Sequence, residues 1–466
     1  MGKVSNAFID FACEYSNYNK LPERVIQGAK KVLLDGIGDA LGGISSDKGK
    51  IGVSMARAMG GVPQSTLIGI GGKYSAPVAA FANAEMLNGL DLDPVPHIPP
   101  IVVPALLAVA EAQGASGKEL LAALSVGQEV ARRLSRVLLS IMTVSVMKCG
   151  KTPDIFGNSN EHIIGAAVGN GILMGLDREQ MAHAIAISAY FCSLPVCRDW
   201  ESTMPKSMIK YVPVSWMAQG SVQAAQLAKF GYTGNKETLD TDLGFPAIYC
   251  REEGVWDPDK VIERLGEEWF STAYSFKPYP CCRYLHSVLD CFYKLLGKYR
   301  FAPHEIESVD CYTSAFVAHP DQYAVENQID AQFSGPYCIA LAAMNYKPGP
   351  AWQDTQALTD PAIHDFMHRV KMHVAPEYAE HKKKDQRSWY GRVEVHARSQ
   401  VFTEETLYSK GTNMEGGELS DEEFYDRFRT CASVILPKYK IERAIEIIEH
   451  IEDYPSLDKL MENITL

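Results

Sequence analysis

Three nucleotide and acyl-transfer signatures are missing from this sequence: G-x-G-x-x-G, G-x-x-x-x-G-K-[ST] and G-x-S-x-G. The one glycine-rich stretch, Ile68 to Gly72, runs on into Lys73 and Tyr74 without the spacer and helix that a dinucleotide site requires. Nucleotide cofactors are thereby not supported. No run approaches the roughly 20 uninterrupted apolar residues of a membrane span. Met1 to Ser16 carries Asp10 and Glu14 in place of the apolar core of a signal peptide. The eleven cysteines are odd in number, irregularly spaced and partly set in apolar runs (Cys13, Cys192, Cys291, Cys338). That usage suits reduced core thiols and excludes a disulfide framework. A soluble, cytoplasmic protein with no membrane partner is the expectation.

Excess positive charge is also lacking. The net charge is −12, and the one dense basic cluster, Lys382 to Lys384 with Arg387, is offset by Glu377, Glu380 and Asp385. Nucleic acid is not an expected partner. With 46% hydrophobic and 22% charged residues the chain reads as fully folded, and 466 residues exceed what one core usually serves. Two domains are the starting expectation.

The first half reads as successive helices. Val25, Ala29, Val32, Leu33, Ile37 and Leu41 follow a 3.6-residue period over Leu21 to Leu41. Ser116 with Glu119 and Asp177 with Gln180 are helix-start signals. Gly165 to Leu176 and Ser215 to Phe230 are rich in small residues, which predicts closely packed helices. An apolar helix is predicted to begin near Pro104. Past residue 265 the texture changes: Ile306 to Tyr312 and Gly391 to Ala397 alternate as half-buried strands do. From Ser420, capped with Glu423, helical patterning returns through Ile441 to Ile451. The expected fold is mainly α: a large all-helical domain (1–265), a smaller α+β lid domain (266–405) and helices returning to the first (406–466).

Four segments could carry chemistry. Asp91, Asp93 and His97 sit on a loop stiffened by Pro94, Pro96, Pro99 and Pro100. They offer general acid and base groups, or a weak metal set, or simply a helix cap and a loop histidine. Asn158 to His162 precedes a glycine- and alanine-rich helix, so it is either an anion cradle or an ordinary N-cap. Lys206 and Lys210 lie among apolar neighbours, where a lysine either reaches solvent or meets a buried anion. Phe276 to His286 brings together Lys277, Cys281, Cys282, Arg283 and His286. The vicinal cysteines lack a partner pair at metal-binding spacing, so Lys277 and His286 are the stronger candidates.

Six segments in order resemble the MmgE/PrpD family: VLLDGIGDALGG from Val32, APVAAFANAEMLNGLDLD from Ala76, VVPALLAVAEAQGASGKELLAALSVGQEVARRL from Val102, GSVQAAQLAKFGYTGNKETLDTDLGF from Gly220, FKPYPCCRYLH from Phe276 and DAQFSGPY from Asp330. The resemblance implies a homodimeric lyase, a dehydratase or decarboxylase, that works on a small carboxylate substrate without metal or organic cofactor. An isomerase or epimerase using the same carbanion is the alternative, as is a carboxylate-binding homologue without catalysis. By residue-to-residue match, His97 steadied by Asp91 would be the acid or base, while Lys210 and Lys277 would grip substrate carboxylates. Asp93, Asn158, His162, Cys282 and His286 would line the substrate. The sequence departs from the family in two places. FGNSNEH replaces a Gly-Phe-His motif, and Cys282 replaces a turn histidine, with His286 one helical turn further on.

Overall fold

A computed structural model describes residues 2–149, 156–249, 256–385, 387–414 and 416–466. The first long helix, Glu23–Gly43, starts directly after Pro22 and buries Val25, Ala29, Val32, Leu33, Ile37 and Leu41, the stripe that its period predicts. Helices Ala76–Asn88, Pro99–Gln113, Gly117–Cys149, His162–Leu173 and Val214–Lys229 pack with it around one continuous apolar cluster. Small residues set how closely they approach. A Cβ on Gly165 would lie 2.2 Å from the carbonyl oxygen of Gly127, so only glycine lets these two helices meet. Among the described residues no helix is long and apolar enough to cross a membrane.

The predicted start near Pro104 is a correction: the helix begins five residues earlier, at Pro99. Pro99 and Pro100 occupy the first two positions, where no intrahelical N–H is needed, and Pro104 is carried inside the helix. The three start signals appear as read. Glu119 accepts from the Ser116 backbone and hydroxyl at 2.7 Å each, and Asp177 with Gln180 and Ser420 with Glu423 form reciprocal capping boxes.

A four-stranded sheet follows in the order Val370–Val374, Ile306–Thr313, Gly391–Ala397, Gln400–Thr406. Its first pair is parallel and the other two are antiparallel. Val309, Val393 and Val395 join helices His286–Tyr299 and Gly335–Ala343 in a second apolar cluster. The closing helices Asp421–Ala432 and Lys438–Glu449 return to the first cluster through Phe424, Phe428, Ile441 and Ile445. Among the described residues the chain is mainly α, and the larger of the two sheets lies between residues 306 and 406.

The closing helices are fastened by charge as well as packing. Arg427 reaches Asp35 Oδ1 with one terminal nitrogen and Asp39 Oδ1 with the other, each at 2.5 Å, and donates to the Leu92 carbonyl at 3.1 Å. Two buried carboxylates share one guanidinium. Burial pushes the Asp39 carboxyl up to about 6 and the Asp35 carboxyl well above its ordinary value, against the opposing pull of Arg427. A raised carboxyl favours the folded state most below its unfolded value near 3.8 and loses that contribution as pH rises through the folded value. The melting temperature should therefore decline between about pH 4 and pH 6 from this pair, and Asp39→Asn should shallow that slope. Parallel wild-type and variant melting curves across the window would count against a raised Asp39 carboxyl here.

Candidate active site

The helix Ala76–Asn88 ends in a tight turn, and Asp91 emerges with φ at 56°. Its buried carboxylate meets two lysines: Lys210 Nζ lies 2.5 Å from Oδ1 and Lys277 Nζ 2.7 Å from Oδ2. Lys277 also donates to the Asp91 carbonyl at 2.8 Å. Lys210 has φ at 54°, so both ends of the first ion pair sit in the left-handed region. Such backbone costs of order 1 kcal/mol or more per residue and persists where surrounding contacts hold it.

Those contacts come from distant segments. Asp330 accepts the Lys206 backbone N–H at 2.8 Å and Asn327 donates to the Lys206 carbonyl at 3.2 Å, which fixes the turn that leads to Lys210. Lys206 folds its own ammonium back onto the Glu201 carbonyl at 2.5 Å. On the Lys277 side, Phe276 N–H donates to Gly411 at 2.9 Å. Gly411 has φ at 87°, and a Cβ there would stand 1.8 Å from the Phe276 oxygen, so this approach requires glycine. Gln332 donates to the Gly89 carbonyl at 2.8 Å, while Gln353 donates to the carbonyls of Leu90 and Pro280 at 2.9 Å each. These two amides stitch the Asp91 turn to the segment that carries Lys277.

The second acid has a different partner. Asp93 Oδ2 is hydrogen-bonded to His97 Nδ1, and its Oδ1 accepts from Asn88 Nδ2 at 3.1 Å. Lys48 donates to the other end of that amide at 2.8 Å, which fixes its orientation. The imidazole lies against the Tyr211 ring, 4.6 Å between centroids. Asp93 is sealed, whereas the His97 side chain is 12% exposed, so the histidine is where solvent touches the cluster. Because Nδ1 is held by a carboxylate, the tautomer leaves Nε2 as the outward acceptor.

Electrostatics sorts these groups. Burial alone would raise the Asp91 carboxyl, yet Lys210 and Lys277 together hold it below its ordinary value. Burial lowers Lys210 in spite of Asp91, whereas for Lys277 the attraction of Asp91 and Asp93 outweighs burial and raises it. Lys210 is thus the readier proton donor of the two. Burial also lowers His97 against the pull of Asp93, so its imidazole is neutral at neutral pH. Two carboxylates and two ammoniums then cancel.

The reading of Asp91 as the partner of His97 is therefore a correction: Asp93 holds the imidazole and Asp91 holds both lysines. Spacing alone cannot separate two acids that stand two residues apart on one loop. His162 is brought up behind this loop, its Nδ1 3.0 Å from the His97 carbonyl oxygen and its Nε2 3.2 Å from Glu161 Oε1. Cys282 lies buried within the field of Asp91 and Lys277, and burial pushes its thiol up to about 12, so it packs as a neutral group. His286 has both ring nitrogens engaged, Nδ1 with Arg283 at 2.9 Å and Nε2 with the Cys281 carbonyl at 3.2 Å. Asn158 accepts from the Ser159 hydroxyl at 3.2 Å, and Asn160 donates to Ser193 Oγ at 2.6 Å. Neither caps helix His162–Leu173, whose N-cap position is taken by Glu161.

Sequence reasoning passed over Asn88, Gln332, Gln353 and the Asp35, Asp39 and Arg427 set. The signal for the last was present, since two acids four residues apart on the buried stripe of an amphipathic helix demand a buried cation. Among the described residues no group of three or more His, Cys, Asp or Glu side chains is arranged to hold a metal ion.

Known proteins bear on this arrangement. The human cis-aconitate decarboxylase is 25% identical over 455 residues, covering 93% of this chain and 89% of that protein. The mouse cis-aconitate decarboxylase is 23% identical over 455 residues, covering 93% and 88%. A cis-aconitate decarboxylase-like protein of Aspergillus oryzae is 26% identical over 310 residues, covering 62% and 61%. The MmgE/PrpD N-terminal domain matches residues 6–255 and the MmgE/PrpD C-terminal domain residues 279–453, so Asp91, His97 and Lys210 fall in one match and the Cys282 turn in the other. With both domains matched in order along most of its length, the chain belongs to the MmgE/PrpD family.

Proposed function

We propose that this chain is a cofactor-independent lyase that breaks a bond next to a carboxylate in a small polycarboxylic acid, with His97 moving the carbon-bound proton. One observation carries the reading: a neutral imidazole is pinned at Nδ1 by a sealed carboxylate, with Nε2 left open at the wetter edge of a buried ion cluster. A base so held faces substrate in a fixed tautomer. The Lys210 and Lys277 ammoniums supply positive charge where a carboxylate-stabilised carbanion develops.

In an elimination, Nε2 takes the proton from the carbon next to the carboxylate. The electron pair left behind forms the new double bond as hydroxide leaves, and the Lys210 ammonium, the readier donor of the two lysines, gives that hydroxide the proton that makes it water. In a decarboxylation, the bond to the leaving carboxylate breaks and CO₂ departs. Its electron pair stays on carbon, and a protonated group, the His97 imidazolium or Lys210, delivers a proton there. The relatives that match along most of the chain are both named for decarboxylating cis-aconitate, which makes that acid the first substrate to try.

Proton and carbon NMR in deuterated water, with cis-aconitate and with the hydroxy acid citrate, tests the reading. The expected outcome is loss of CO₂ or of water, with solvent deuterium appearing at one carbon of the product. Deuterium exchange with neither loss would replace the lyase by an isomerase or epimerase. Binding without any change would leave a carboxylate-binding chain that does no chemistry.

A further inference from the structure

Helix Gly117–Cys149 carries two consecutive arginines with opposite fates. Arg133 is saturated: Nε donates to Glu129 at 2.7 Å, and the terminal nitrogens donate to the carbonyls of Val261, Glu263 and Glu268 at 2.7–3.1 Å. Glu129 in turn accepts the Ser271 N–H at 2.8 Å, which closes a structural network. Arg132, about 100° round the helix, has Nε and Nη1 buried with no hydrogen-bond partner among the described residues. A guanidinium keeps its charge and offers its donors in a rigid fork that matches a carboxylate. Buried open donors of this kind call for an anion.

Its surroundings share the feature. Among the described residues, Tyr274, Arg136, Glu129 and Glu161 are the ionisable groups that act most on Arg132. Glu129 is committed to Arg133 and Ser271, and Arg136 lies over the Phe270 ring. Among the described residues, Tyr274 leaves its buried hydroxyl unpartnered, Glu161 leaves Oε2 so, and Ser275 its hydroxyl. Both flanks connect to the loop that bears His97. Glu161 precedes His162, whose Nδ1 lies 3.0 Å from the His97 carbonyl oxygen. Tyr274 precedes Ser275, whose backbone exchanges two hydrogen bonds of 2.9 Å with Val95.

Charge balance makes the same point. Asp91 and Asp93 cancel Lys210 and Lys277, and His97 is neutral. A polycarboxylate entering this site finds both ammoniums already held by Asp91. Arg132, linked to the His97 loop through Glu161 and His162 on one flank and Tyr274 and Ser275 on the other, is a cation with buried donors unpaired among the described residues. We propose that Arg132, together with the Tyr274 hydroxyl, binds a second carboxylate of the substrate, which is therefore a di- or tricarboxylate held at both ends. Glu161 bounds this subsite: its open Oε2 repels an anion and turns the carboxylate toward the guanidinium.

The subsite rests on the carboxylate chemistry proposed above, and equilibrium binding separates the two. Wild type, Arg132→Gln and Arg132→Lys are titrated calorimetrically with cis-aconitate, with the dicarboxylate citraconate and with the monocarboxylate crotonate, alongside melting curves. Arg132→Gln should weaken both polycarboxylates by about 10- to 100-fold and leave crotonate within about twofold, with partial recovery in Arg132→Lys. Unchanged polycarboxylate affinity in Arg132→Gln overturns the subsite. So does a parallel loss for crotonate, or a wild type that binds neither polycarboxylate. Arg132-dependent binding without any turnover would uphold the subsite and remove the lyase.

Discussion

Replacing His97 with glutamine should lower kcat by about 10²- to 10⁴-fold, the range lost when a positioned acid or base is removed. Folding should be intact, because the His97 side chain is the partly exposed member of its pair and its contacts, to Asp93 and the Tyr211 ring, leave no buried charge stranded beyond one carboxylate that Asn88 still partners. The pH profile identifies the group. Burial holds the imidazole below its ordinary value near 6.5, so in an elimination the active neutral base is already dominant at pH 7 and the rate falls on the acid side of 6.5, whereas a decarboxylation fed by the imidazolium falls on the alkaline side. Asp93→Asn should lower kcat as well, by freeing the ring to take the other tautomer. It should also move the acid limb to lower pH, since the Asp93 charge is what raises the His97 value against burial. An acid limb that stays in place in Asp93→Asn, or near-wild-type turnover in His97→Gln, would take His97 out of the reaction.

The largest loss of stability should follow Asp91→Ala. This change strands two ammoniums that are themselves buried, Lys210 at 2% and Lys277 at 0% exposure. Removing one side of a buried ion pair typically costs about 3–5 kcal/mol, a large share of the roughly 5–15 kcal/mol that holds a domain folded. The urea midpoint should drop accordingly. Adding Lys210→Met and Lys277→Met to an Asp91→Leu background should restore much of the loss, because no charge is then left without a partner. A triple variant no more stable than Asp91→Ala would point to shape, not charge, as the role of these residues. The sign with pH is opposite to that of Asp39. Asp91 is held below its ordinary value, so its contribution is complete above the unfolded value near 3.8 and fades only as pH falls through the lower folded value.

Much of the scaffold was legible. The 3.6-residue period over Val25 to Leu41, the capping pairs at Ser116, Asp177 and Ser420, and the alternation at Gly391 to Ala397 each have one dominant physical cause, and each appears where it was read. Pro99 and Pro100 misled because proline both opens and breaks helices, and only the chain before it decides which. That Asp91, Asp93, His97, Lys210 and Lys277 carry the chain's unusual charges was legible, and which of them pairs with which was not. Asp91 and Asp93 look alike in sequence, and the backbone turn at φ 56° sends one to the lysines and the other to the imidazole. Gln332, Gln353 and Arg427 act across more than 240 residues of chain, a separation at which local pattern carries no signal. Arg132 and Arg133 are indistinguishable until one sees which side of the helix meets the carbonyls of residues 261–268.

The amide bridges from Gln332 and Gln353 to Gly89 and Leu90 also order events in time. They join residues 243 and 263 positions apart, so the turn that presents Asp91 cannot acquire its final supports while the first half of the chain is all that a ribosome has released. At about 5–20 residues per second, the interval between translating Gly89 and translating Gln332 is roughly 12 to 50 seconds. For the first part of that interval, the 188 residues from Gly89 to Lys277 or roughly 9 to 38 seconds at the same rate, Asp91 has no Lys277 beside it, and the helices around it are incompletely packed. Nascent chains of this protein should therefore depend on protection late in synthesis, and activity should emerge in a single step near its end.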